Sequence, residues 1–155
     1  MLRLSILLTS VLLLPAMLAS QTAKPADPLA GTWKLNASKS KFNPAPGPTN
    51  ITVIEGEDGK LQIREEYADG KSTNWSIVPS KDGSPVTISG AGENSSYWRK
   101  VVDQRHIEDH WKTPDAVSVG RGTLSSGGKT LTYVLTGADP DGKNPFRWVE
   151  VFEKQ

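Results

Sequence analysis

Apolar and polar positions along this chain fall into two regimes. From Leu4 to Leu18 the sequence is almost wholly apolar, interrupted only by Ser5, Thr9, Ser10 and Pro15. Further on it changes to short alternating stretches, as in Leu61-Gln62-Ile63-Arg64 and Thr130-Leu131-Thr132-Tyr133-Val134-Leu135. Alternation at period two puts successive side chains on opposite faces of a strand. No window carries a sustained apolar stripe at helical spacing. The pattern predicts ten strands, at roughly 31–36, 49–56, 60–68, 72–79, 84–89, 94–102, 104–112, 115–124, 129–137 and 145–153. Only 37–48 breaks the rhythm, and Pro44, Pro46 and Pro48 rule out a long helix there.

Between the strands stand Asp58-Gly59, Asp69-Gly70, Asp82-Gly83, Gly127-Gly128 and Asp141-Gly142, four of them followed directly by Lys. Such pairs supply positive φ at both centres of a type I′ turn, whose twist suits a tight antiparallel hairpin. Consecutive hairpins at this spacing make an up-and-down meander, a barrel or a sandwich. Closure into an all-β antiparallel barrel of about eight to ten strands is favoured, because an open meander exposes two long edges.

The apolar start has a different meaning. Met1-Leu2-Arg3, the apolar run and the small pair Ala19-Ser20 have the layout of a secretory signal peptide, with cleavage expected near Ser20. The run is shorter than the roughly 20 residues of a membrane span. The chain has no Cys, which closes the bacterial route of lipid attachment and excludes disulfides. The expected product is soluble and exported, periplasmic or secreted, with a polar leader at 21–28 and one domain over 29–155. Loss of residues 1–20 removes one charge, Arg3, leaving 17 basic and 17 acidic residues. Zero net charge argues against a nucleic-acid partner, which calls for a basic excess.

Two chain ends carry a resemblance. Gly31-Thr32-Trp33-Lys34-Leu35-Asn36, followed by Lys39-Ser40-Lys41-Phe42, opens the domain, and Phe146-Arg147-Trp148-Val149-Glu150-Val151-Phe152-Glu153-Lys154 closes it. The chain resembles the lipocalin and fatty-acid-binding protein superfamily, in particular small exported bacterial lipocalin-like proteins. The resemblance implies that the last strand pairs with the first and that Trp33 packs across the closed end of the barrel. It also implies a basic partner for Trp33 from a late strand, with Arg147 and Arg121 both open as candidates. Two family features are missing. The segment after the first strand is too short for two lid helices, and Arg147-Trp148-Val149 stands where fatty-acid-binding proteins carry an Arg-x-Tyr anchor.

Catalytic motifs fail on spacing. Gly70-Lys71-Ser72 and Gly128-Lys129-Thr130 end like P-loops, but Glu65 and Thr123 stand where the earlier Gly is required. No Gly-x-Ser-x-Gly and no Cys nucleophile exist. His106, Glu108 and His110 share one strand face, yet residues four apart lie about 13 Å apart, too far for both histidines to reach one ion. The simpler expectation sends Ile107 and Trp111 to the core and the His/Glu/His set to solvent. No metal and no other cofactor is expected.

Ligand contacts, if the barrel is hollow, should come from aromatics and charges on apolar faces. Leu61, Ile63, Glu65 and Tyr67 form one such face; Thr73, Trp75 and Ile77 another; Leu131, Tyr133 and Leu135 a third. Tyr97, Arg99 and Val101, and Val117, Val119 and Arg121, complete the set. The candidate ligand-binding residues are therefore Arg121, Arg99, Tyr67, Trp75, Tyr97 and Tyr133. Arg99 or Arg121 would meet an anionic ligand group; the alternative is an ion pair with Glu65 or another barrel carboxylate, or a rim position. Arg121 is the first choice, because Gly120 and Gly122 flank it and permit close approach. The expected function is binding of a small, mainly apolar or amphipathic molecule rather than catalysis. The rival is a structural or protein-interaction barrel packed solid.

Overall fold

A computed structural model describes residues 27–155, so the signal-peptide expectation and most of the leader lie outside the described residues. All ten expected strands are present, with one more. They are β1 (Gly31–Leu35), β2 (Lys41–Asn43), β3 (Asn50–Glu55), β4 (Leu61–Glu66), β5 (Ser72–Ile77), β6 (Val86–Thr87), β7 (Ser96–Val101), β8 (His106–Lys112), β9 (Val117–Leu124), β10 (Thr130–Ala138) and β11 (Phe146–Lys154). No helix occurs among the described residues.

The sheet order is β5-β4-β3-β1-β11-β10-β9-β8-β7-β6, antiparallel throughout. First and last strands pair, with Trp33 opposite Lys154 and Leu35 opposite Phe152. This is an up-and-down barrel, nearly closed. The free edges are β5 and β6, and one bridge spans the gap: Ser76 of β5 and Ser89, just past β6, exchange both backbone hydrogen bonds, at 3.0 and 2.9 Å. Gly90 sits against this seam at φ +89°, where a Cβ would run into the Asn74 carbonyl oxygen.

The added strand, β2, falls in the proline-containing segment that broke the alternation. It lies along the same edge of β11 as β1, pairing Phe42 with Trp148 and Lys41 with Val149. Between β1 and β2 the turn at 36–40 stays tied to β11: Asn36 N–H donates to the Val151 carbonyl and Val151 N–H to Ser40 Oγ. One edge of β11 is thus covered by two short strands with a turn between them. Three residues are too few for alternation to show in the sequence.

The turns differ from expectation in type. Gly59, Gly70, Gly83, Gly128 and Gly142 have φ between +66° and +82°, but the Asp residues before them and Gly127 do not. Gly59 N–H returns to the Gly56 carbonyl while Gly56 N–H meets the Lys60 carbonyl. The same pair of bonds recurs at Tyr67, Gly70 and Lys71, and at Asp139, Gly142 and Lys143. These are three-residue loops, a type I turn followed by glycine in the left-handed region. The Asp completes the loop: Oδ1 of Asp58, Asp69 and Asp141 accepts from the backbone N–H two residues on.

Trp33 is 1% exposed and seals one end, packed with Leu29, Leu35, Ile51, Leu124 and Phe152. Its Nε1 donates to the Leu29 carbonyl at 2.7 Å. The basic partner is Lys154, whose Nζ lies 5.2 Å from the ring centroid and donates to the Pro28 carbonyl. Neither Arg147 nor Arg121 plays this part; both are exposed. Gly31 sits here at φ +135°, a backbone conformation that favours glycine, and a Cβ would fall 2.7 Å from the crossing Lys154 stem.

A candidate ligand-binding cavity

The barrel is hollow. A cavity of about 460 Å³ opens away from the Trp33 end, within the size range of small-molecule sites. Its walls are the inward faces of the strands, and strand parity decides who takes part. Four of the five tryptophans line it: Trp33, Trp75, Trp111 and Trp148. Tyr67, Trp75, Tyr133 and Arg99 stand in the wall.

Arg121 does not. On β9 the inward residues are Ser118, Gly120, Gly122 and Leu124, so Arg121 points outward with Val117 and Val119. Its side chain is 65% exposed and pairs with Glu108 at 3.0 Å. The flanking glycines serve neighbours inside the barrel rather than a ligand beside Arg121. A Cβ on Gly120 would overlap the Tyr133 phenol, and one on Gly122 would crowd Ile107 and Leu131. Tyr97 is inward but 1% exposed, behind the wall rather than in it.

Arg99 is an ion-pair residue. Its Nε and Nη2 meet Asp109 Oδ1 and Oδ2 at 2.7 and 3.0 Å, and Nη1 meets Glu55 at 2.6 Å. Tyr97 and Tyr133 also donate to Asp109, at 3.0 and 3.1 Å, and Trp111 Nε1 donates to the Tyr133 hydroxyl at 2.9 Å. All three guanidinium nitrogens are engaged and two carboxyls answer the single charge, while two of the five N–H groups, one on Nη1 and one on Nη2, have no hydrogen bond among the described residues. The partners are Glu55 and Asp109, not Glu65. Burial opposes the Arg99 charge, but Asp109, Tyr97 and Glu55 outweigh it and hold its pKa above the usual value. Burial pushes Glu55 up to about 7 against the pull of Arg99.

The other carboxyls have no cation. Glu65 is 8% exposed and accepts from Tyr67 at 2.8 Å and Thr73 at 3.1 Å; burial raises its pKa, and those two bonds lower it in part. Glu150 is 5% exposed, lines the cavity and has no hydrogen bond or ion pair among the described residues. Burial and then the Glu65 charge push it up to about 8. Trp148 Nε1, two residues back on the same face of β11, is a buried donor that also lacks a partner.

Glu55, Asp109 and Glu150 went unnoticed as site residues in the sequence. The usable signal for Glu150 was parity: Phe146, Trp148 and Phe152 share its strand face, an acid among three aromatics. Asp109 likewise sits between Ile107 and Trp111 on an inward face.

On the outer face of β8 the histidines find local partners. His106 Nδ1 lies 2.8 Å from Asp103, and His110 Nε2 lies 3.0 Å from Glu108 with its ring stacked on Trp98 at 3.6 Å. No metal-holding group of His, Asp and Glu exists among the described residues. No helix there is long and apolar enough to cross a membrane.

No protein-family model matches this chain, and no curated protein matches it.

Proposed function

We propose that this protein is an exported, lipocalin-like carrier that holds a small, mainly apolar or amphipathic molecule inside its barrel. The observation that carries the reading is the cavity of about 460 Å³, walled by four tryptophans together with Tyr67, Tyr133 and aliphatic side chains. A barrel serving only as a scaffold gains stability by filling such a space, since each unfilled volume forfeits packing. The lipocalin-like assignment rests on β1–β11 pairing, on the up-and-down order and on Trp33 at the sealed end. Export rests on the Met1–Ser20 layout alone.

Recognition in this reading is mostly apolar, with Trp75, Trp111 and Tyr67 as walls. Native mass spectrometry of the protein purified from its source tests it. A non-covalent small molecule that leaves on denaturation supports the carrier; the bare mass, with no uptake of added apolar molecules, overturns it.

A further inference from the structure

The cavity wall has a lopsided charge. Six acids line it, Glu55, Glu65, Asp109, Asp115, Asp139 and Glu150, and one base, Arg99. That base is already paired with Glu55 and Asp109. Asp115 and Asp139 lie toward the open end, where Asp115 is exposed. Deeper in, Glu65 and Glu150 are both more than nine-tenths buried, and neither faces a cation. Glu150 also lacks any hydrogen-bond donor among the described residues. A carboxyl so little exposed is costly as an anion, and with no protein donor its hydrogen bonds fall to whatever occupies the cavity. Such a group, lining a cavity walled by four tryptophans, marks where a ligand's complement belongs.

We propose that the ligand of this cavity is a cationic amphiphile, an apolar body bearing a protonated amine, whose ammonium group is held by Glu150 and Glu65. This rests on the carrier reading above and names its ligand class. An ammonium offers only donors, and these two carboxyls offer acceptors. The pairing is charge-assisted and shielded from water, the setting in which it is strongest. Nearby aromatic faces, Trp75, Trp111 and Tyr67, suit a cation and its alkyl or aryl body equally. The acids at the open end favour entry of a cation and oppose an anion. An anionic ligand would instead bring its charge into a wall where acids outnumber bases six to one.

The acid–base state of Glu150 is consistent with this. Empty, it holds its proton near neutrality because of burial and Glu65. A cation placed beside it favours the carboxylate, so binding should expel a proton from the protein.

Decylamine, decanol and decanoate make a matched probe set, titrated into the wild-type protein at pH 7 by calorimetry. The amine should bind at least about ten-fold tighter than the alcohol, a difference worth about 1.4 kcal/mol, with the carboxylate weakest. Repeating the amine titration in buffers of different ionisation heat should reveal proton release that decanol does not produce. Glu150→Gln should bring the amine to the affinity of the alcohol, both measured on that variant. Equal amine and alcohol affinities, or a preference for decanoate, overturn the cationic ligand and leave the carrier reading standing. No saturable binding of any of the three overturns both. The wild-type series decides the matter even if a variant fails to fold.

Discussion

Lys154, on the last strand, lies with its Nζ 5.2 Å above the indole of Trp33 on the first. The contact spans the seam where chain beginning and chain end pair, and Gly31 leaves the space through which the lysine stem passes. Trp33 itself is 1% exposed, with its N–H bonded to Leu29. Trp33→Ala should therefore cost about 3–5 kcal/mol, as for other buried large aromatics. The check is the denaturant midpoint, which should fall sharply. Lys154→Met, which keeps most of the stem, should lose about 1 kcal/mol or less.

Gly120 and Arg121 should respond very differently to substitution. Gly120→Ala places a methyl group inside the Tyr133 phenol and disturbs its bond to Asp109, so a loss of about 1–3 kcal/mol is expected. Arg121→Gln removes an exposed pair with Glu108 and should change stability by less than about 1 kcal/mol. Ligand uptake should be unchanged in the second variant. Thermal melts of both, with a dye titration of Arg121→Gln, provide the comparison.

That contrast also shows how far the sequence was legible. Alternation and Asp-Gly spacing were enough for the strands and their meander order, because tight loops leave consecutive strands little choice of neighbour. Which face of β9 turns inward was harder. Val117, Val119 and Arg121 read as the apolar face, yet the barrel takes Gly120 and Gly122 inside so that Tyr133 and Ile107 have room. Glycine carries no polarity signal, so the parity of that strand was inverted. β2 escaped notice because three residues beside prolines show no period. On β11, Glu150 was hidden by its charge, although the aromatics around it mark its face as inward.

Removing Arg99 should leave Glu55 and Asp109 buried without their cation. Arg99→Met should cost about 3–5 kcal/mol, the range for breaking one side of a buried pair. Asp109→Asn should be comparably harmful, since Asp109 accepts from Arg99, Tyr97 and Tyr133 together. Urea titrations of the two single variants and the double variant would reveal their coupling, with the double variant less unstable than the sum of the singles.

Stability should fall as pH rises from weakly acidic to weakly alkaline. Glu150 has a folded pKa of about 8 against a usual 4.5, so between those values the folded state holds a proton that the unfolded chain has released. Its contribution is fully present below about 4.5, is lost progressively up to about 8 and is constant above. The slope from this group approaches about 1.4 kcal/mol per pH unit within the window. Glu55, raised to about 7, adds a slope of the same sign over the lower part of the window. Glu150→Gln should flatten the profile between pH 7 and 8, where Glu150 acts with least help from Glu55. Melting temperatures across pH 5–9 for wild type and variant supply the test.

The hollow barrel is tested most directly by titrating the wild-type protein with Nile red, a neutral apolar dye, while following both dye and tryptophan emission. Four tryptophans line the cavity, so a dye lodged there must quench or shift their fluorescence as its own emission rises. Saturation at one dye per chain is expected, with both signals following one binding curve. Leu131→Trp, which fills the cavity from β10, should abolish it. Dye emission that never saturates, or that leaves tryptophan emission untouched, would contradict a ligand-holding interior.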